Sequence, residues 1–280
     1  SSQTGFIKGR YIGENVRLIC DIMNYTDDTN NPGILFFSDF EKAFDTIDHD
    51  YMFHCLRHFN FGEDLINWIQ HFYSNPQNAI MNNGHMTDFF KVKRGVRQGC
   101  PLSPYIFIIC IELLSYEVEH NNNIKGINIE GQDIKRTLFA DDATFITDGT
   151  ENSFTHLINV LDNFSHISGL RLNSSKCNAL RIGSTTQTDV SYFKHRKFQW
   201  GSEKAKALGF IFHTNKSRLF NENIDQKLEY FKSTLKSWQH RKLSLLGKIT
   251  VLKTCALPKL IYPLSILHNP SNATIKTISD

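Results

Sequence analysis

Between Thr137 and Thr147 the chain reads TLFADDATFIT, so that two apolar arms flank the adjacent acids Asp141 and Asp142. Apolar arms on either side of a short polar pair favour two strands joined by a tight turn. Adjacent carboxylates repel each other, and Asp is a poor strand former. A bound cation would relieve that repulsion. The stretch therefore predicts a hairpin with two acids at its tip, and it leaves a metal site and a purely structural turn both open.

A third acid ends another apolar run. From Gly33 to Asp39 the chain reads GILFFSD, which indicates a short buried strand that ends in a carboxylate. On its own, such an Asp is as easily a turn former or a helix cap. The three acids together offer oxygen ligands, without a His or Cys cluster beside them. Oxygen ligands favour Mg²⁺ or Mn²⁺ over Zn²⁺.

The rest of the chain predicts a mixed α+β body with antiparallel strands and a helical C-terminus. Helices are predicted at His49 to Phe59, Glu63 to Tyr73, Pro104 to Glu119 and Ser153 to Ile167. A hairpin is predicted from Asn78 to Val92, with Asn83-Gly84 in its turn.

The last third of the chain contains two further predicted strands, Ala179 to Ile182 and Ala205 to Phe212. The polar stretch between them, Gly183 to Trp200, indicates a loop or a flexible hairpin. Beyond Asn223 the apolar spacing predicts helices, which we expect to end at Pro258 because proline lacks the backbone N–H that a helix needs.

The composition is that of a folded chain. Its 280 residues are 40% hydrophobic and include 22 Phe, enough to bury a core divided over two or three lobes. No apolar run reaches the roughly 18 residues that a membrane helix needs, so no membrane partner is expected. The first ten residues lack a secretory signal, and the missing initiator Met suggests a fragment of a longer product. Six scattered cysteines then indicate free thiols and an intracellular location, in the nucleus, the cytoplasm or both.

Charge is unevenly distributed along the chain. The formal net charge is +3, yet the segment from Gln226 to Lys259 holds eight basic residues and one acid, a charge of +7. A basic C-terminal lobe on a mildly acidic body suggests a polyanion partner for that lobe. The alternative is a solvated helical face.

The FADD turn at Phe139 to Asp142 resembles the catalytic turn of reverse transcriptases. Five other segments resemble motifs of the reverse transcriptases of non-LTR (LINE-type) retrotransposons: QTGFIKGR from Gln3 to Arg10, DFEKAFD from Asp39 to Asp45, GVRQGCPLSP from Gly95 to Pro104, GLRLNSSK from Gly169 to Lys176, and KALG from Lys206 to Gly209. In the family, QTGFIKGR corresponds to a segment before the first catalytic strand, and DFEKAFD to that strand. GVRQGCPLSP corresponds to the nucleotide-binding loop with the helix that follows it. GLRLNSSK corresponds to the next motif along the chain, and KALG to the primer-gripping motif. They occur here in the family's order and at its spacing.

The resemblance implies an α+β, right-hand polymerase fold with an antiparallel palm sheet and a helical C-terminal thumb. Fingers, N-terminally incomplete, would comprise residues 1–32 and 47–100, the palm 33–46 and 101–215, and a partial thumb 216–280. The implied activity is RNA-directed DNA polymerisation, in which a primer 3′-OH is extended with dNTPs on an RNA template with two Mg²⁺ or Mn²⁺ ions. Implied partners are the RNA template, a DNA primer or target, dNTPs and the RNA of the element itself. The oligomeric state stays open.

The resemblance also implies roles for individual residues. The metal-binding and catalytic acids are Asp39, Asp141 and Asp142, with the backbone carbonyl of Phe40 as a further ligand. Lys176 matches a general acid toward pyrophosphate. The residues implied to contact the nucleotide are Phe44 beneath the sugar, Gln98 and Gly99 in the packing loop, and Arg97. Those implied to contact nucleic acid are Arg10, Leu208 and Gly209. Contact with nucleic acid is also predicted for Lys232, Lys236 and Arg241, from the basic charge of their segment. Asp45 and Asp48 lie outside the metal positions and are interpreted as turn and helix-start acids.

Three other interpretations compete with this one. A group II intron maturase shares the Ala-Asp-Asp turn, but DFEKAFD and the later stretch KLSLLGKITVLK are typical of LINE-type enzymes. An RNA-dependent RNA polymerase normally shows Gly-Asp-Asp. From another class, a non-catalytic nucleic-acid-binding remnant of a decayed element is the alternative, and a primer-extension assay on an RNA template separates it from an enzyme.

Overall fold

The computed structural model describes residues 2–184, 198–201 and 203–267. Its helices are α1 (Ile12–Thr29), α2 (Ala43–Thr46), α3 (His49–His58), α4 (Glu63–Tyr73), α5 (Ser103–His120), α6 (Glu151–Ser168), α7 (Lys216–Gln239), α8 (Leu245–Val251) and α9 (Leu257–Ile266). Its strands are β1 (Gly33–Ser38), β2 (Gln77–Asn78), β3 (Met81–Asn82), β4 (His85–Met86), β5 (Phe90–Lys91), β6 (Ile127–Ile129), β7 (Gln132–Ile134), β8 (Arg136–Phe139), β9 (Asp142–Thr147), β10 (Asn178–Ile182), β11 (Gln199–Gly201), β12 (Lys204–Ala207) and β13 (Phe210–His213). The four helices predicted between His49 and Ile167 are confirmed as α3, α4, α5 and α6.

A five-stranded sheet in the order β11-β10-β1-β9-β8 forms the centre of the fold. Strand β1 is antiparallel to both of its neighbours, and all six of its residues are buried. A strand that is covered on both faces has no polar face, which explains why GILFFS is apolar except for its last residue, Ser38. The sheet therefore holds its first acid, Asp39, at the end of its most deeply buried strand.

One face of the sheet is covered by α3, α5 and α6. Phe36 of β1 and Phe145 of β9 point into this first core, together with Phe107 of α5 and Phe154 of α6. The rings of Phe36 and Phe154 meet edge to face with their centroids 5.5 Å apart. Truncating a buried Phe of this kind to Ala costs about 3–5 kcal/mol.

The opposite face is covered by α1, whose residues Val16, Ile19 and Ile22 are fully buried. They pack in a second core that receives the alternate side chains of β1, among them Phe37, which stacks on Phe212 at 5.2 Å. The last helix, α9, also contacts α1, so the C-terminal helices are anchored to this side of the sheet.

The hairpin predicted around Asn83-Gly84 is confirmed, and both turn residues have positive φ angles of 50° and 82°. The prediction at Ala205 to Phe212 was incomplete, because this run forms two strands, β12 and β13, rather than one. Leu208 and Gly209 form the turn between them with φ angles of 53° and 70°. Two consecutive positive φ angles are typical of a two-residue hairpin turn, and a Leu at the first position conceals that turn from a sequence reading. The predicted loop at 183–200 lies mostly outside the described residues.

The prediction that Pro258 ends the C-terminal helices was wrong. A π-helical turn, Leu252–Ala256, links α8 to α9, and Pro258 lies in the first turn of α9. Proline fits there because its fixed φ angle is already close to that of a helix. Helix α8 itself starts after Ser244, whose hydroxyl accepts a hydrogen bond from the Gly247 N–H over 3.2 Å.

The expectation about apolar length also needs correction. The continuous helical stretch Leu245–Ile266 has the length and the mean hydropathy, 1.3, of a membrane-spanning helix. A single such helix is weak evidence for a membrane span, since core helices of soluble proteins have the same properties. Helix α9 packs on α7 and α1.

Candidate active site

The paired acids lie on the β8–β9 hairpin. Phe139 pairs with Asp142, which leaves Ala140 and Asp141 as the two central residues of a tight turn. Ala140 has a φ of 54°, a left-handed conformation that non-glycine residues rarely adopt outside such turns. The predicted strand, turn and strand are therefore confirmed, with Asp142 as the first residue of β9.

The sheet register brings Asp39 next to this turn. Ser38, the last residue of β1, pairs with Ala143 of β9, and its hydroxyl donates to the Ala143 carbonyl over 2.9 Å. Asp39 directly follows the end of β1, and Asp142 directly precedes Ala143 in β9. Antiparallel pairing thus places acids that are far apart in sequence on neighbouring strands.

The backbone of Asp39 is fixed from a second direction by the motif at Gly169 to Lys176. The Asn173 N–H donates to the Asp39 carbonyl over 2.8 Å. The sulfur of Cys177 accepts from the Asp39 N–H at 3.4 Å and donates toward its carbonyl at 3.7 Å. Burial raises the pKa of the Cys177 thiol to about 11, so it stays protonated and can donate. Sequence reasoning missed Cys177, and its position directly after Lys176 was the available signal.

The acids influence one another electrostatically. Burial, together with the charges of Asp141 and Asp39, raises the pKa of the Asp142 carboxyl from 3.8 to about 6, although its side chain keeps contact with solvent. Burial and the charge of Asp39 also raise the pKa of Asp141. A cation between these groups would favour their ionised forms, so the donor set fits a hard divalent ion.

The acids are not arranged as a finished coordination shell. Within the described parts of the chain, no three His, Cys, Asp or Glu side chains are placed to hold one ion. The Asp39 carboxylate lies 3.9 Å from the ammonium of Lys176. Joint coordination of one ion by Asp39, Asp141 and Asp142 stays a prediction.

Hydrogen bonds attach the loop at Gly95 to Gly99 to the segment that follows Asp39. The Gly95 N–H donates to the Ile47 carbonyl over 2.7 Å, and the Val96 N–H to the Phe44 carbonyl over 2.6 Å. Gln98 Nε2 donates to Asp45 Oδ1 over 3.1 Å. Sequence reasoning treated Asp45 as a turn acid only, and the structure makes it the partner of Gln98. Asp48 caps α3 as predicted, with its carboxylate accepting from the N–H of Asp50 and Tyr51.

The remaining loop residues face open space. Gly99 has a φ of +83°, and no heavy atom lies within 4 Å of the position that a Cβ would take there. Arg97 is exposed. Both residues therefore stay available to a ligand, as a nucleotide-binding role requires.

Phe44 lies between the core and the site. Its ring stacks on Phe107 at 4.5 Å and meets Phe6 edge to face at 6.5 Å, and it is half-buried. One face of the ring is thus held by the core. The side chain of Phe40 is buried in the first core against Phe164, so only its backbone is suited to the metal role.

A groove of about 700 Å³ runs beside the catalytic hairpin. Lys8 and Arg10 line it together with four aromatic residues: Phe6, Tyr11, Tyr105 and Phe139. Phe6 and Phe139 lie in segments that sequence reasoning singled out, but it assigned a ligand contact to none of the four. Arg10 is exposed and pairs with Glu14 at 3.4 Å. Basic and aromatic side chains together suit single-stranded nucleic acid, since cations bind phosphates and rings stack on bases.

The predicted nucleic-acid contacts near the C-terminus differ in accessibility. Lys232, Lys236 and Arg241 are exposed; Lys232 pairs with Glu229 at 3.5 Å, and Arg241 lies over the Trp238 ring at 4.6 Å. The side chain of Leu208 is buried in the second core, and its carbonyl accepts from the Tyr262 hydroxyl over 2.7 Å. This hydrogen bond ties the β12–β13 turn, which includes Gly209, to α9.

A mainly antiparallel sheet that carries one acid at a strand end and two at an adjacent hairpin, with helices behind it and at the C-terminus, has the arrangement of the right-hand polymerase fold. A family model described as reverse transcriptase (RNA-dependent DNA polymerase) matches residues 1–247. The chain belongs to this family.

Relatives confirm the resemblance to non-LTR retrotransposons. The uncharacterized 149 kDa protein of transposon TX1 from Xenopus laevis is 26% identical over 269 residues, which cover 95% of this chain and 20% of that protein. The Pol polyprotein of the type-2 retrotransposable element R2DM from Drosophila melanogaster is 23% identical over 276 residues, 94% of this chain and 25% of that protein. The chain thus spans a fifth to a quarter of the length of these relatives.

Solved structures confirm the predicted fold class. Apo telomerase from Candida tropicalis aligns with a TM-score of 0.54 at 15% identity, covering 99% of this chain and 46% of that one. The same enzyme in complex with a fragment of telomeric RNA gives 0.54 at 12% identity, covering 99% and 44%. At this identity the likeness concerns the fold alone. The boundaries of fingers, palm and thumb stay predictions.

Proposed function

We propose that this chain is the RNA-directed DNA polymerase core of a non-LTR retrotransposon protein. The observation that carries the proposal is the β1–β9 register, which sets Asp39 beside Asp142 in a chain of the reverse transcriptase family. The proposed substrates are a primer 3′-hydroxyl, dNTPs and an RNA template, with the RNA of the element itself as the natural template. The proposed site of action is intracellular.

Two Mg²⁺ or Mn²⁺ ions, when bound, lower the pKa of the primer hydroxyl and neutralise the triphosphate and the leaving pyrophosphate. The residues that would hold them are Asp39, Asp141 and Asp142, with the Phe40 carbonyl. The raised pKa values of Asp141 and Asp142 support this assignment, because carboxylates that repel each other gain from a shared cation.

The other residues of the site orient the substrates. Phe44, held by Phe107, offers a ring beneath the nucleotide sugar. Gln98, held by Asp45, fixes the loop whose Gly99 and Arg97 are open to the nucleotide. Lys176, beside Asp39, can give a proton to the pyrophosphate as it leaves.

The groove and the basic C-terminal segment fit the two nucleic-acid strands. Phe6, Tyr105, Lys8 and Arg10 suit an unpaired template strand near the catalytic turn. The exposed Lys232, Lys236 and Arg241 suit the phosphates of the template–primer duplex.

The test is a primer-extension assay with the full chain, an RNA template annealed to a DNA primer, the four dNTPs and Mg²⁺. Extension that Asp141→Asn abolishes supports the proposal. Binding of the template–primer without extension in the parent chain would contradict it and favour a non-catalytic nucleic-acid-binding protein.

A further inference from the structure

The N-terminal segment 2–5 pairs with the outer edge of the catalytic strand β8. The Thr4 N–H donates to the Leu138 carbonyl over 2.9 Å, and the Leu138 N–H donates to the Ser2 carbonyl over 3.3 Å. Gln3 and Leu138 form a parallel bridge. Because β8 is the last strand of the five-stranded sheet, this segment pairs with the one edge that leads directly into the catalytic turn.

The side chain of Gln3 binds the turn itself. Its Oε1 accepts from the Ala140 N–H over 2.8 Å, and its Nε2 donates to the Ala140 carbonyl at 3.4 Å. Oε1 also accepts from the Gly5 N–H over 2.7 Å. Gln3 is only 2% exposed, so water has little access to its amide. Both backbone polar groups of Ala140, the residue with the left-handed conformation, are therefore held by one side chain.

The neighbours of Gln3 fix it in place. A Cβ on Gly5 would clash with the backbone nitrogen of Ala140, so only glycine allows the segment to approach this closely. The Thr4 hydroxyl donates to the carboxamide oxygen of Asn15, which is 1% exposed. Asn15 Nδ2 in turn donates to Thr137 Oγ1 over 2.7 Å and to the Leu138 carbonyl over 2.8 Å. Buried, satisfied polar networks of this kind rigidify the groups they join.

On the basis of the polymerase activity proposed above, we propose that Gln3 is a positioning residue of the active site. Its amide holds both backbone polar groups of Ala140 and so fixes the turn that aims Asp141 and Asp142 toward Asp39. Gln3 touches no reacting atom; it acts through the backbone of Ala140. Partners that orient metal-binding side chains typically contribute 10–100-fold to metal affinity or activity.

The experiment compares the full chain with Gln3→Met, which keeps the length of the side chain and removes its hydrogen bonds. Mn²⁺ binding is titrated by electron paramagnetic resonance, and kcat and the dNTP KM are measured by primer extension. We expect Mn²⁺ affinity and kcat to fall about 10–100-fold, while KM and template–primer affinity stay within about twofold of the parent. Gln77→Met, at an exposed position of β2, is the matched control and is expected to behave like the parent.

A folded Gln3→Met with the Mn²⁺ affinity and kcat of the parent would overturn the proposal, as would an equal loss in Gln77→Met. If Gln3→Met fails to fold by circular dichroism, Gln3→Asn, whose amide is one methylene too short, replaces it. Loss of the fold in both variants would also overturn it, in favour of a purely structural role. Because the Mn²⁺ titration needs no synthesis, a parent chain that binds Mn²⁺ but extends no primer would refute the polymerase activity separately.

Discussion

The ammonium of Lys176 lies 3.9 Å from the carboxylate of Asp39, the residue that follows the C-terminal end of the central strand β1. The pair joins two motifs that the chain separates widely, and Asn173 and Cys177 fix the Asp39 backbone from the same segment. The Lys176 side chain remains 68% exposed, so it can turn from Asp39 toward a bound substrate. We therefore expect Lys176 to act as a proton donor toward the leaving pyrophosphate.

Lys176→Ala is expected to lower kcat about 100-fold with little change in the dNTP KM, because general acid catalysis acts on the chemical step. Lys176→Arg keeps the charge, but its guanidinium does not release a proton, so it should be nearly as slow. Single-turnover primer extension measures both. Full rescue by Arg would contradict a proton-donating role, and Lys125→Ala, at an exposed lysine elsewhere, should have no effect.

Asp141→Asn is expected to remove nearly all synthesis and to leave RNA binding intact. The variant should also melt at a higher temperature at neutral pH. The folded-state pKa of Asp141 is raised above its ordinary value, so its ionisation disfavours the folded state, and a neutral amide removes that cost. Thermal melts and filter binding provide the measurements, with the exposed Asp88→Asn as the control. A lower melting temperature would show that the charge stabilises the fold.

Phe44→Val is expected to admit ribonucleotides while leaving deoxynucleotide use mostly intact. A ribose 2′-hydroxyl meeting the Phe44 ring would clash or lose its hydrogen bonds, at a cost of about 1–3 kcal/mol, which is about 5- to 150-fold in selectivity. The measurement is the ratio of kcat/KM for each dNTP and its ribonucleotide. Val also leaves a gap against Phe107, so Phe61→Val, another half-buried core ring, controls for lost packing. An unchanged ratio would make Phe44 a core aromatic only.

Gly95→Ala is expected to destabilise the chain and to raise the dNTP KM, since a Cβ there would lie 2.6 Å from the Asp45 carbonyl oxygen. Gly84→Ala is the matched control. Its φ of +82° is close to the +88° of Gly95, but nothing lies within 4 Å of its Cβ position. Both variants incur about 1–2 kcal/mol of left-handed strain. Urea unfolding measures the free energy of unfolding of both variants, and the amount by which Gly95→Ala loses more than Gly84→Ala measures the clash. Equal losses in the two variants would show that the loop moves freely away from Asp45.

The basic segment from Gln226 to Lys259 is expected to bind template–primer duplex through phosphates with little sequence preference. Affinity should then fall with salt by a log–log slope of about −0.7 to −0.9 per neutralised phosphate. Reversing Lys232, Lys236 and Arg241 together should flatten that slope, measured by fluorescence anisotropy over a range of salt concentrations. A triple reversal of the exposed Arg57, Lys125 and Lys204 is the control. Equal effects of the two triples would assign these residues to a solvated helix face.

Local patterns sufficed for the elements that carry the acids. GILFFS had to be a buried strand because its residues are almost all apolar, and the acid pair between two apolar arms had to be a turn. Local patterns gave the wrong prediction at Leu208, because a buried Leu there takes a turn conformation that is usual for Asn or Gly. They also gave the wrong prediction at Pro258, because a π-helical turn precedes it and the helical stretch continues.

The sequence by itself determined which residues form the catalytic hairpin and β1, which motifs surround them, and hence the family, because each of these depends on short stretches of chain. Only the tertiary structure decided which groups hold the acids: Cys177 and Asn173 at Asp39, Asp45 at Gln98, and Gln3 at Ala140. These contacts join residues that are dozens of positions apart. They depend on the register of the sheet and on the packing of distant chain segments against one another. Neither produces a periodic pattern in the sequence.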